Sequence, residues 1–429
     1  MKKSIKAVAA ASAALAMAFS CVPMAYAAED VPAVQTEAES SAKLEFTAGK
    51  TVETPYNGIV LYSDNDGTVY YYAYDKVNPR LIIYTLDENG GIKNSFSVDS
   101  YVNDNGEKIT AADVKLKQCG DNLFLMYREE VGSWWRPKEK GNIIVKLDKE
   151  LNRVARYKHK KGSSFDTNGE KVVYLSDMWN ICICDIDGNN LKTLYSVNKS
   201  GEIVEQPLNC VAVAGNYVGF QKRTGYSNSP DRKAYCGIID IETGEVTLKK
   251  QRSVEQVLSF GDNLIWYGEA GYFPQESLDI PAEVIASGAI ATDSYMTERY
   301  KYYSDSELYI FDGKEYSVLK TPNAKEVGCG TAVDSNGDIV TTSFDGKGHV
   351  IYRFYRGKEL IGEHTVSYKG YSTAVFGSGA ITISYTGRDA TANDWIGISD
   401  DMTDEDIEKL IAATPSVKDI MKSVTISYN

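Results

Sequence analysis

Apolar and polar positions along the chain recur as one two-part unit. Its first part is a turn of Gly with Asp, Asn or Glu followed by an apolar and aromatic run. This part occurs at Asp66-Gly67 (TVYYYAY), Gly120-Asp121-Asn122 (LFLMY), Asn168-Gly169-Glu170 (KVVYL), Gly215-Asn216 (YVGFQ), Gly261-Asp262-Asn263 (LIWYG), Gly337-Asp338 (IVTTSF) and Gly377-Ser378-Gly379 (AITISY). The second part is an apolar run that ends in an acidic turn and resumes: IIYTLDENGGIKNSF, IIVKLDKELNRVARY, ICICDIDGNNLKTLY, GIIDIETGEVTLKK, LYIFDGKEYSVLK and IYRFYRGKELIGEH. Runs such as VYYYAY and VVYL are β-branched and aromatic and lack a 3.6-residue period, so they predict strands and exclude a helical array.

The two parts alternate, so each unit reads as strand, tight turn, strand, variable loop, strand, acidic turn, strand. Four antiparallel strands per unit are a propeller blade. Counted from Asp66 through Asp121, Glu170, Asn216, Asp262, Asp338 and Ser378, the turns lie 55, 49, 46, 46, 76 and 40 residues apart. Most of these fall near the ~40 to 50 residues of a blade, and the longest marks an insertion. The pattern predicts an all-β, seven-bladed β-propeller over residues 51–429, with six or eight blades as the alternatives left by the weak ends. A β-sandwich gives no reason for the same unit to recur.

The ends differ in character. Residues 1–27 read as a secretory signal peptide: Lys2, Lys3 and Lys6, an apolar run from Ala7 to Phe19, then Ala25-Tyr26-Ala27. The run is shorter than the ~20 residues of a membrane span. Secretion or cell-surface association is expected, and lipoprotein tethering at Cys21 is the weaker reading because Ala18 and Phe19 do not suit a lipobox. Residues 28–50 are small and acidic and are expected to form a disordered spacer. Near the other end, Thr403-Asp404-Glu405-Asp406 and Thr414-Pro415 start helices, with Ile407, Leu410 and Ile411, then Val417, Ile420, Met421 and Val424, as apolar faces. A small C-terminal helical hairpin, 403–423, and a closing strand, 424–428, follow from this.

Composition narrows the class. The chain has 429 residues, 30 Tyr, 35 Gly and 11 Pro with 43% hydrophobic residues, which suits a strand-rich globular protein. The net charge of −13 becomes −16 once the three leader lysines are set aside, which argues against nucleic acid or an anionic membrane as partner. Six cysteines follow the leader: Cys119, Cys182, Cys184, Cys210, Cys236 and Cys329. Most sit in apolar strand runs, so buried thiols are favoured over disulfides.

On its repeat grammar, residues 51–395 resemble the secreted bacterial β-propeller superfamily. Asp240-Ile241-Glu242-Thr243-Gly244 is similar to the turn of quinoprotein-type repeats. The Trp that follows it there is missing and the other blades do not repeat it, so no quinone, and no other cofactor, is expected. The markers of WD, kelch and sialidase repeats are absent, and no functional residue is carried over from those families.

Function is expected where loops vary on a rigid scaffold. The loops between second and third strands are uneven, and they hold the candidate ligand-binding residues: Trp134, Trp135 and Arg136 in blade 2, Tyr226 and Arg232 in blade 4, Tyr272 and Phe273 in blade 5, and Arg388, Asp394 and Trp395 in blade 7. Adjacent Trp residues in a polar loop offer a sugar-stacking platform or a protein hot spot, and loop packing is the plain alternative. Three His occur, His159, His349 and His364, with no nucleophile grammar around them, and His159 lies in a basic stretch read as solvated. Asp64-Asn65-Asp66-Gly67, Asp185-Ile186-Asp187-Gly188 and Asp334-Ser335-Asn336-Gly337-Asp338 resemble fragments of calcium loops but lack the closing Glu, and they suit tight turns. No catalytic or metal residue is assigned. The expectation is an exported, monomeric, non-catalytic binding or scaffold protein for a glycan or an extracellular protein. The alternative is a carbohydrate-active hydrolase or lyase with carboxylates at the channel mouth.

Overall fold

Each repeat unit folds as its own antiparallel sheet, giving seven sheets arranged as a β-propeller. The computed structural model describes residues 44–75, 78, 80–102, 108–131, 138–197, 208–224, 233–251, 256–267, 307–320, 327–334, 336–344, 349–368, 371–386 and 420–429. In blade 2, for example, strands Lys108–Cys119 and Asn122–Val131 meet at the Gly120-Asp121 hairpin, and Lys138–Leu147 and Arg153–His159 at the acidic turn. This blade adds a short fifth strand, Tyr101–Val102, beside the innermost one. First strands neighbour one another around the axis, as Leu208–Ala214 does Gln256–Phe260.

Both faces of a blade are buried, which explains runs that read as continuously apolar rather than alternating. Leu123, Leu125 and Tyr127 pack toward blade 1 with Tyr70, Leu81 and Ile83. Phe124 and Met126 pack toward blade 3 with Phe165, Val172 and Tyr174. The glycines of the tight hairpins have a backbone reason: Gly120, Gly215 and Gly261 open two-residue turns at φ 60, 51 and 52, where a Cβ is disfavoured.

The ring is closed by pairing the two ends of the chain. Blade 7 runs, from outside inward, Phe46–Glu53, Lys422–Tyr428, Ala380–Tyr385 and Tyr371–Gly377. Phe46 opposes Tyr428, and its ring stacks on His364 at 4.6 Å. The closure builds one blade from both ends of the chain and covers the outer edge of Lys422–Tyr428.

Two boundaries differ from the sequence expectation. Strand Phe46–Glu53 takes up residues assigned to the spacer; as the outermost strand it is mostly exposed, so it carries no apolar period to read. Strand Lys422–Tyr428 begins two residues before 424 and claims Lys422 and Ser423 from the expected hairpin, because they pair with Tyr385 and Ser384. Residues 403–419 of that hairpin lie outside the described residues. Among the described residues, the short 3-10 turn Pro55–Asn57 is the one helical element, and no helix is long and apolar enough to cross a membrane.

Candidate functional site

Antiparallel alternation separates two faces. Hairpins joining first to second and third to fourth strands lie on one, here the turn face; second-to-third and blade-to-blade connectors lie on the other, the connector face. On the turn face the Asp side chains serve the turns themselves. Asp87, Asp240 and Asp312 each accept two backbone N–H bonds on Oδ1, at 2.7 to 2.9 Å. Those bonds hold the Asp240 and Asp312 carboxyls below the usual range. The fragments that resemble ion loops are hairpins of the same kind. Asp64 Oδ1 accepts from Asp66 and Thr68 N–H, and Asp334 Oδ1 from Asn336 and Asp338. The second carboxylate oxygen of each accepts a hydroxyl, from Tyr70 at 2.9 Å and from Tyr428 at 2.8 Å.

All ten candidate residues read from the sequence belong to connector-face segments and lie outside the described residues: Trp134, Trp135, Arg136, Tyr226, Arg232, Tyr272, Phe273, Arg388, Asp394 and Trp395. The structure shows the strand ends that carry these segments: Val131 and Lys138, Thr224 and Lys233, Tyr267 and Glu307, Tyr385 and Lys422.

At the base of the blade 2 connector, Glu129 is buried and receives Arg156 at 2.8 Å and Lys158 at 2.7 Å. A Cβ at Gly141 would lie 3.0 Å from the His159 carbonyl and 3.3 Å from the Lys158 stem, so the strands pass closely here. On the other side of the strand Arg128 pairs with Asp113 and, at 3.4 Å, with Glu130. The stretch around His159 is solvated only in part. Lys158, Lys160 and Lys161 are exposed, but His159 is buried with Nδ1 3.6 Å from the Cys184 Sγ, correcting the solvated reading. Strand alternation turns it inward, and burial pushes its pKa down. Cys119, Cys182, Cys184, Cys210 and Cys236 are free thiols.

The inner strands bring together a cluster the sequence reading missed. Lys117 Nζ of blade 2 reaches Asp166 of blade 3 at 3.2 Å, the Thr167 carbonyl at 2.8 Å, the Val213 carbonyl of blade 4 at 3.3 Å and Ser259 Oγ of blade 5 at 2.5 Å. Ser259 donates to Asp166 Oδ2 at 2.6 Å, as does the Val213 N–H at 2.9 Å. One small polar network thus fastens four blades at the axis. Its members share a signal: each is a polar residue two or three places before a turn glycine, Gly120, Gly169 or Gly261. Two residues nearer the connector face, Lys115 is exposed, and it and Arg223 of blade 4 both act electrostatically on Cys210, whose thiol burial pushes up to about 12.

No protein-family model and no curated protein sequence matches the chain. Solved structures similar to it include the acylaminoacyl peptidase of Pyrococcus horikoshii, 13% identical over 65% of this chain and 43% of that one, with a TM-score of 0.41. The β-propeller domain of the trilobed protease from Pyrococcus furiosus is 14% identical over 65% and 77%, at 0.39. BamB from Moraxella catarrhalis is 11% identical over 79% and 96%, at 0.36. The chain spans less than half the length of that peptidase. The assignment of a seven-bladed propeller rests on the seven sheets themselves.

Proposed function

We propose that the protein is an exported, non-catalytic binding or scaffold propeller that holds a glycan or a protein partner on its connector face. The observation that carries this reading is the contrast between the faces. On the turn face the hairpins are short and their Asp and Gly residues are consumed by backbone geometry. On the other face the connectors run from residues 178–179 in blade 3 to residues 268–306 in blade 5. Variable segments on a rigid ring are where recognition is placed.

The axial network supports the rigid-ring half of this reading. Lys117 Nζ meets a carboxylate, two carbonyls and a hydroxyl, more acceptors than an ammonium has protons, so its donors are all taken up within the ring. Ser259 donates to Asp166, whose carboxylate also accepts from Lys117 and the Val213 N–H, so the hydroxyl is taken up in joining blade to blade.

The test is binding of the purified protein to a glycan array and to extracellular proteins, beside a folded Trp134→Ala/Trp135→Ala variant. Retained ligands that the variant loses support the reading. Cleavage of a retained glycan overturns it in favour of a hydrolase or lyase.

A further inference from the structure

The contact between blades 2 and 3 is largely apolar, with Phe124, Met126 and Ile144 of one packed on Phe165, Val172 and Tyr174 of the other. Two buried polar side chains share it. Asn142 is 1% exposed and His159 6%. They are partners across the pairing of strands Lys138–Leu147 and Arg153–His159, so both leave the sheet on the same side. His159 turns Nδ1 toward blade 3, 3.6 Å from the Cys184 Sγ, and the Ile186 backbone also bonds the ring. Its Nε2 has no hydrogen-bond partner among the described residues, and neither has Oδ1 or Nδ2 of Asn142. The chain that follows His159 closes over this amide. A Cβ at Gly162 would lie 2.5 Å from the Leu175 carbonyl oxygen, 3.1 Å from the Tyr174 ring and 3.4 Å from Asn142 Nδ2, so backbone of both blades passes directly against it.

We propose that Asn142 and His159 form a binding site for an internal water molecule, which donates to His159 Nε2 and is hydrogen-bonded to the Asn142 amide. Buried polar groups of native proteins are paired almost without exception, and those without a protein partner are met by ordered water. The three atoms also select the occupant. With the ring proton on Nδ1, Nε2 is an acceptor; Asn142 Oδ1 is a second acceptor and Nδ2 a donor, so the occupant must both give and accept hydrogen bonds. Water does this at the smallest size. Cross-strand partners begin about 5 Å apart at Cβ, a span that a bridging water covers. A metal ion fits the site poorly: among the described residues no three His, Cys, Asp or Glu side chains could hold one. Burial pushes the Cys184 thiol up to about 11, which keeps it protonated and a weak ligand. The site is a wet joint between two blades and is independent of what the connector face holds.

The experiment is a high-resolution crystal structure of the purified protein, joined to a solution measurement on protein with isotope-labelled histidine. In the crystal, density for a single water is expected within hydrogen-bond distance of both His159 Nε2 and the Asn142 amide, with no anomalous signal. In solution, a nuclear Overhauser effect is expected from long-lived water to the His159 ring protons; the chain has three His, and His159→Gln assigns the signal. Asn142→Leu removes the amide at similar volume, and in the folded variant the effect is expected to be lost. Should that variant not fold, the crystal density of the unaltered protein decides alone. Absence of density at the site, or a direct bond between Asn142 and His159 Nε2, overturns the proposal. An anomalous signal there overturns it in favour of a metal ion. A water signal on His159 that is unchanged in Asn142→Leu overturns the assignment of the water to this pair.

Discussion

Ser259 Oγ lies 2.6 Å from Asp166 Oδ2, joining blade 5 directly to blade 3 past the intervening blade. Lys117 of blade 2 completes the bond at 3.2 Å from the same carboxylate oxygen. Three side chains far apart in sequence thus act as one fastening.

Removing the cation alone leaves a largely buried carboxylate without its counter-charge. Lys117→Met is expected to destabilise the protein by about 3 kcal/mol. Lys117→Met/Asp166→Asn keeps an acceptor for the Val213 N–H and removes the uncompensated charge, so it is expected to recover most of that loss. Urea unfolding midpoints check this; a double variant as unstable as the single one would show that the carboxylate is not the source of the loss.

Leu151 occupies the left-handed position, φ 67, that Gly90 and Gly188 fill in the corresponding turns of blades 1 and 3. It is kept there by packing, being 2% exposed against the blade 1 cluster. Leu151→Ala keeps the backbone strain and loses the packing, an expected cost of about 2 to 4 kcal/mol. Leu151→Gly loses the packing but relieves the strain, and is expected to be about 1 kcal/mol more stable than the Ala variant. Thermal or urea unfolding ranks the pair, and the reverse order would refute the strain argument.

His159 sets an acid limit. Burial lowers its folded pKa below the ordinary 6.5, so the unfolded chain takes up a proton that the folded one resists. Its stabilising contribution is complete above about pH 6.5 and is lost as pH falls below that toward the folded value. His364, stacked on Phe46, shifts in the same direction. The turn carboxylates Asp148, Asp240 and Asp312, held low by their turn hydrogen bonds, and Asp185, held low by Lys171 and Asn190, act in a separate window below about pH 4. Unfolding free energy measured from pH 7.5 to 5 is expected to fall, and His159→Gln/His364→Gln to flatten the fall. An unchanged slope in that variant would assign it to other groups.

Strand Phe46–Glu53 covers the hydrogen-bonding edge of Lys422–Tyr428. Deleting it is expected to accelerate amide exchange along that strand and to promote self-association through the uncovered edge. Exchange mass spectrometry and sedimentation read the two effects. A monomer with unchanged exchange would mean that closure does not depend on this pairing.

The sequence displayed what is decided locally. Seven Gly-containing turns and six acidic turns announced themselves because a hairpin demands those residues wherever it lies, and all of them are hairpins here. Strand Phe46–Glu53 gave no sign, since an outer strand with one side in solvent needs no apolar period. His159 was misread for a related reason: its exposed neighbours set the average of the stretch, while strand alternation set its own side. Lys117, Asp166 and Ser259 are adjacent only because the ring closes, and no local pattern encodes that. The aromatic loop residues from Trp134 to Trp395 could be nominated by loop length, yet their placement belongs to segments outside the described residues.

The pairing of Phe46 with Tyr428 has a directional consequence. Tyr428 reaches the turns of blades 6 and 7 through Asp334 and Gly379, so Leu44 and Asn429 both leave the ring on the turn face. A tether, fusion partner or immobilising tag joined through either end therefore anchors the turn face and presents the connectors outward, away from the support.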